Sequence, residues 1–107
     1  MSEERIPALV ISGTIVIDPA QVPRARELLA PLLVATRAEA GCLAYGFYAD
    51  LDDPGTFRVY EEWESAEANA AHSASAHLAA FMAGIGELDV RSVRLDRYEV
   101  AGAQRIM

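Results

Sequence analysis

The order of patterned segments predicts an α+β domain of the ferredoxin-like βαββαβ type, built on a four-stranded antiparallel sheet. Three observations carry this expectation. Four runs have the β-branched and aromatic character of strands. Two longer stretches between them repeat apolar residues at helical spacing. The middle two strands are joined by a short Asp-Asp-Pro-Gly turn instead of a helix, which makes them a hairpin and fixes the order as βαββαβ.

Leu9 to Ile17, LVISGTIVI, is apolar on both alternating faces and reads as the first strand. Asp18-Pro19 closes it and supplies a cap with a proline near a first helical turn. From there to Glu39, apolar residues recur at Val22, Ala25, Leu28, Leu29, Leu32 and Leu33, the stripe of an amphipathic helix. Pro23 marks a candidate start, and Pro31 is expected to kink the helix, since it removes a hydrogen bond and crowds the preceding turn. Gly41 is a helix stop. Cys42 to Asp50 is the second strand, residues 51–55 the turn, and Thr56 to Trp63 the third strand. Ser65 is the N-cap of a second helical stretch that reaches Glu87 and breaks near Ser73–Ser75. Val90 to Val100 is the fourth strand, and Ala101 to Met107 a loose tail or one that reaches a partner.

Two helices cover only one face of such a sheet. The strands nevertheless place bulky residues on both faces, Ile11 and Ile15 against Val10 and Val16, and Phe57, Val59 and Trp63 against Tyr60. A homodimer is expected on this ground, with a second sheet as the cover.

At 107 residues there is room for one domain, with a core from about residue 8 to 100. The formal net charge is −7 and every basic residue is Arg, which argues against nucleic-acid or anionic-membrane partners. Cys42 is alone and reads as a small buried apolar residue. The acidic Met-Ser-Glu-Glu-Arg start lacks the apolar run of a signal peptide, and no stretch approaches the ~20 apolar residues of a membrane span, so a cytoplasmic protein is expected. There is no phosphate-binding glycine loop, no G-x-S-x-G elbow and no dinucleotide fingerprint.

Chemistry-bearing residues are few. His72 and His77 are the only histidines. Spaced by five, they do not share a helical face unless the break near Ser73–Ser75 re-aims them, so no metal site is assigned. Glu61 and Trp63 lie two apart on a strand and share a face. If that face meets the helices, Glu61 is a carboxylate in an apolar setting, and it orients His72, binds a substrate hydroxyl or pairs with an Arg such as Arg97. Trp63 is a wall for a flat ligand or plain core. Tyr45, Phe47, Tyr60 and Phe81 add aromatic surface, with Tyr45 and Phe47 on one face of their strand and Tyr48 on the other.

The segments Glu39-Ala-Gly-Cys-Leu-Ala-Tyr45, Asp52-Asp53-Pro54, Tyr60-Glu-Glu-Trp-Glu-Ser65 and His72-x4-His77-x3-Phe81, in this order and spacing, resemble the antibiotic biosynthesis monooxygenase family, also called the quinol monooxygenases. The resemblance covers most of the chain. It implies a dimeric α/β-barrel and an oxidation of quinol-type or polycyclic aromatics by O2 without metal, flavin or other cofactor. Carried onto this chain, it makes His72 the candidate base, Glu61 its orienter, and Trp63 and Tyr45 pocket walls or donors. Phe47, Tyr60, His77, Phe81 and Met82 are further candidates for contact with the substrate. A haem-degrading branch of the same fold is a poorer match, because its characteristic Trp position falls on His72 and its haem-ligating His on Met82. Non-oxidative isomerases of the same family, and a dimeric protein that only binds a small aromatic, are the alternatives. An Arg in the cavity from among Arg58, Arg94 and Arg97 would favour the anionic substrate of such an isomerase, a small phosphorylated sugar, and an uncharged aromatic cavity would favour quinol oxidation.

Overall fold

A computed structural model describes residues 5–107. The element order is β1 (Leu9–Ile17), a 3₁₀ turn (Pro19–Gln21), α1 (Val22–Arg37), β2 (Cys42–Ala49), β3 (Thr56–Trp63), α2 (Ala66–Ser73), α3 (Ala76–Ile85) and β4 (Val90–Glu99). The four strands form one open antiparallel sheet in the order β2-β3-β1-β4, the ferredoxin-like arrangement.

Local chemistry sets the element ends. Asp18 accepts a hydrogen bond from the Ala20 amide through Oδ1, at 3.0 Å, and nucleates the 3₁₀ turn ahead of α1. Pro23 then falls in the first turn of α1, where its missing N–H costs nothing. The helix runs on through Pro31 instead of ending there. Pro31 and Glu27, whose carbonyl loses its partner, are both exposed, so water can take the vacant bond. Ala25, Leu29, Leu32 and Thr36 form the buried stripe of this helix. Gly41, at φ +83°, turns the chain into β2, a conformation that suits glycine alone. The β2–β3 turn is tied by Asp50 Oδ1, which accepts from the amides of Asp52 and Asp53 at 2.8 and 3.0 Å.

The second helical stretch divides at Ala74 and Ser75. Ser65 Oγ caps α2 by accepting from the Ala68 amide at 3.1 Å. Ser75 Oγ caps α3 by accepting from the Leu78 amide, and donates in turn to the His72 carbonyl at 2.7 Å. The break is therefore a built joint between two capped helices.

Strand alternation divides the sheet into two unlike faces. Leu9, Ile11, Gly13, Ile15 and Ile17 of β1 share the helix side with Phe57, Val59, Glu61 and Trp63 of β3 and with Tyr45 and Phe47 of β2. Leu9, Leu29, Leu32, Tyr45, Trp63 and Phe81 form the main core there, and Ile17, Ala25 and Phe57 a second cluster. The other face is more polar than the expected apolar surface. Val10, Val16, Tyr48, Tyr60 and Tyr98 stand among Arg58, Glu62, Arg94 and Asp96, because most charged residues of the alternation fall on this side, Glu61, Arg97 and Glu99 excepted.

The helices do not reach across the whole sheet. On β4, Val93 and Leu95 share the parity of the helix side yet remain 58% and 45% exposed. Gly13 sets how closely β4 approaches, since a Cβ there would lie 1.8 Å from the Arg94 carbonyl oxygen. Gly13→Ala is expected to lower stability by about 1–3 kcal/mol through forced displacement of β4; urea unfolding of the variant measures this, and an unchanged midpoint would contradict the packing described.

Candidate active site

A cavity of about 300 Å³ opens between the helices and the uncovered part of the sheet. Ile11 and Ile15 of β1, Tyr45 and Phe47 of β2 and Val59 and Glu61 of β3 form its floor. Asn69, His72 and Ser73 of α2 and Leu78, Phe81 and Met82 of α3 form its roof, and Leu95 and Arg97 of β4 its outer wall. The lining is mainly apolar, with a few polar groups that converge, as ligand sites usually are.

His72 sits at the end of α2 and is buried. Its ring packs against Trp63 and Tyr45, with centroids 4.9 and 5.1 Å away. Nδ1–H donates to Glu39 Oε2 at 2.7 Å, which leaves Nε2 as the ring nitrogen outside that bond, and the residue lines the cavity. His77, at the start of α3, donates Nε2–H to the same oxygen at 2.8 Å. The joint at Ala74–Ser75 has re-aimed the two histidines, so that residues five apart meet on one carboxylate.

Glu39, His72 and His77 are the one group among the described residues with three possible metal-ligand atoms close together, all within 4.8 Å of one another. The donor set would suit zinc. The two contacts to Oε2 have hydrogen-bond lengths, shorter than the roughly 3.3 Å between ligands that share a tetrahedral ion. As it stands the group is a carboxylate clamped by two N–H donors.

Glu61 occupies the centre of the floor, with Tyr45 beside it on β2 and Ile11 on β1. Trp63 Nε1–H donates to Glu61 Oε1 at 2.9 Å. Burial pushes the Glu61 carboxyl above its ordinary range; the Trp63 bond and the neighbouring His72 offset part of that rise. Tyr45 is held well above the usual phenol range by burial first, and then by the nearby Glu61 and Glu39 carboxylates. Its hydroxyl therefore keeps its proton and is able to donate a hydrogen bond. Its position is fixed by Arg37, whose Nε–H donates to the Tyr45 carbonyl at 3.0 Å.

Of the residues singled out in the sequence, His72, Glu61, Tyr45, Phe47, Phe81 and Met82 meet at the cavity. Trp63 lies behind its wall, fully buried, and supports Glu61 and His72. Two others are elsewhere. Tyr60 belongs to the opposite face, because strand alternation turns it away from Glu61, and its hydroxyl donates to Glu62. His77 lies beyond Glu39, in a shallow groove between α1 and α3. Glu61 makes no ion pair with Arg97 among the described residues, and the carboxylate on His72 is Glu39 and not Glu61. Glu39 opens the Glu39–Tyr45 segment that carries the family resemblance, but nothing local tied it to His72.

The antibiotic biosynthesis monooxygenase profile matches residues 8–84, which is most of the chain. The chain belongs to this family. A solved structure from Deinococcus radiodurans, provisionally assigned as an antibiotic biosynthesis monooxygenase, superposes with a TM-score of 0.85 at 30% identity, over 92% of this chain and 98% of that one. A Mycobacterium tuberculosis protein whose name carries a provisional monooxygenase assignment is 37% identical over 68 residues, which are 64% of this chain and 66% of that protein. An uncharacterised Synechocystis protein is 24% identical over 98 residues, 92% of this chain and 67% of its own length. Family and neighbours together support a monooxygenase-like role. Among the described residues, no helix is long and apolar enough to cross a membrane.

Glu61 yields a prediction of definite sign. A carboxyl raised in the folded state keeps its proton when the unfolded chain has lost one, so its contribution is undiminished below the ordinary carboxylate pKa and declines as pH rises toward the folded value. Glu61→Gln keeps an acceptor for Trp63 Nε1–H and removes the titration. Calorimetry is expected to give equal Tm for both proteins near pH 4 and a higher Tm for the variant at pH 7–8. A wild type at least as stable as the variant at pH 8 would contradict this.

Proposed function

We propose that the protein is a cofactor-independent monooxygenase that converts a hydroxylated, quinol-like or polycyclic aromatic to a quinone with O2. The observation that carries the reading is the His72 imidazole, held through Nδ1 by Glu39, at a cavity whose walls are aromatic and aliphatic over most of their extent, with Arg97 at the outer strand the one cation in the lining.

The chemistry balances without an added reductant. His72 Nε2 takes the hydroxyl proton of the arene. The arenolate gives one electron to O2, forming superoxide and an aryloxyl radical. These combine at a hydrogen-bearing ring carbon ortho or para to the hydroxyl, and the C–O bond formed leaves a peroxide on that carbon. The imidazolium returns its proton to the distal peroxide oxygen. Loss of the ring C–H proton and heterolysis of the O–O bond then release water and leave the quinone. Substrate carbon is oxidised and O2 reduced, one oxygen atom going to each product. Tyr45 O–H is a donor for the developing anion, and the apolar walls keep water from competing. Glu39 fixes the ring orientation and tautomer of His72 and steadies its charged form.

O2 consumption by metal-stripped protein with a panel of hydroquinones and hydroxynaphthalenes tests this. Turnover above autoxidation is expected, reduced on the order of 10²–10⁴-fold in His72→Ala. A folded His72→Ala protein with undiminished turnover would remove His72 from the mechanism. Glu39→Gln should lower the rate as well, because the imidazolium formed in the first step loses its counter-charge.

A homodimer is part of the same proposal. Val10, Tyr48, Tyr60 and Tyr98 on the open face, with Arg and acidic residues between them, offer a self-complementary surface for a second sheet. Light scattering at micromolar concentration is expected to give twice the 11.6 kDa chain mass; a monomeric mass would contradict it.

A further inference from the structure

Arg97 is the unexplained group of the cavity. It lies on β4 and lines the outer wall beside Leu95. Its strand neighbours are neutralised: Arg91 pairs with Asp89 and Asp18, and Arg94 with Asp96. Arg97 makes no ion pair or hydrogen bond among the described residues. Arg58 and Arg94 point to the opposite face, so Arg97 is the guanidinium that the lining contains.

Its position relative to the base is set by the strand register. Glu61 and Arg97 both pair with Ile11, one from each side. Two strand spacings separate their Cα atoms by about 10 Å. His72, Tyr45 and Glu61 cluster at one end of the cavity, and Arg97 marks the other. The surface between them is apolar, formed by Ile11, Ile15 and Leu95. Arg97 is exposed at this mouth of the cavity, where its planar fork can still grip a carboxylate through two N–H groups. The chain as a whole carries −7, so attraction for an anion has to be local.

We propose that Arg97 binds an anionic substituent of the substrate, at the end of the aromatic system remote from the hydroxyl that His72 deprotonates. The substrate class is then a hydroxyarene of two or more fused rings with a carboxylate on the distal ring. This rests on the reading of the cavity as an aromatic oxidation site. It extends that reading by fixing the charge, length and polarity of the molecule. Asn69 and Ser73, on the α2 side, add neutral polar groups to the roof and no competing charge.

Anaerobic binding separates this inference from the function it rests on. Three probes are titrated by fluorescence into wild type and Arg97→Gln: 6-hydroxy-2-naphthoate, with the two groups at opposite ends; 3-hydroxy-2-naphthoate, with the groups adjacent; and neutral 2-naphthol. Wild type is expected to bind the 6-hydroxy acid about 10- to 100-fold more tightly than 2-naphthol, in line with a charge-assisted bond. Arg97→Gln should erase that advantage and leave 2-naphthol affinity unchanged, and the 3-hydroxy acid should gain little. Equal affinities in wild type, an advantage that survives in Arg97→Gln, or an equal gain for the 3-hydroxy acid would each overturn the inference while the oxidation site stands. Failure of all three probes to bind would overturn both.

Discussion

One carboxylate oxygen organises the functional half of this molecule. Glu39 Oε2 accepts from His72 and His77, and in doing so ties together the α1–β2 turn, the end of α2 and the start of α3. Charge-assisted bonds of this kind are stronger than neutral ones, and here both are part-buried. Without them the short helix α2 would be held mainly by its Ser65 cap and by its packing on β3. The imidazole of His72 would lose the partner that holds its Nδ1–H. Fold and proposed chemistry therefore share a single anchor.

Around it, the sheet supplies a second constraint. Strand alternation puts Glu61 and Trp63 on the helix side with Tyr45 and Phe47, and puts the charged residues Arg58, Glu62, Arg94 and Asp96 on the other. The helix side is apolar enough that each buried polar group needs a partner. Trp63 serves Glu61, Glu39 serves His72, and Arg37 holds the Tyr45 backbone. Because the helices stop short of β4, the same face that builds the core also leaves a cavity, and the outer strand supplies its one guanidinium.

Much of this was legible in the sequence, since the signals were local. β1 and β3 fall where their alternation placed them, Ser65 caps α2 and Pro23 sits in the first turn of α1, whereas α1 ends at Arg37 with Ala38 as its cap and Gly41 instead makes the turn into β2. Strand parity correctly paired Glu61 with Trp63 and separated Tyr48 from Tyr45. Pairings between distant segments were not legible. Glu39 and His72 are 33 residues apart, and only the folded α1–β2 turn brings them together. Glu61 offered itself as the orienter because it was the nearer carboxylate in a recognisable pattern. Tyr60 lay within that pattern too, yet alternation carries it to the far face. Arg97 was weighed as the counter-ion of Glu61; register shows Ile11 standing between them.

The central claim is that His72, held by Glu39, takes the proton of a hydroxyarene in the cavity before oxygen takes part. The most direct measurement is the absorption spectrum of a hydroxynaphthalene bound under strict exclusion of O2, at a pH below its solution pKa. The account predicts the arenolate band with wild type and its absence with His72→Ala. A ligand that binds wild type in the neutral form would contradict the claim, because the cavity would then hold the substrate without activating it.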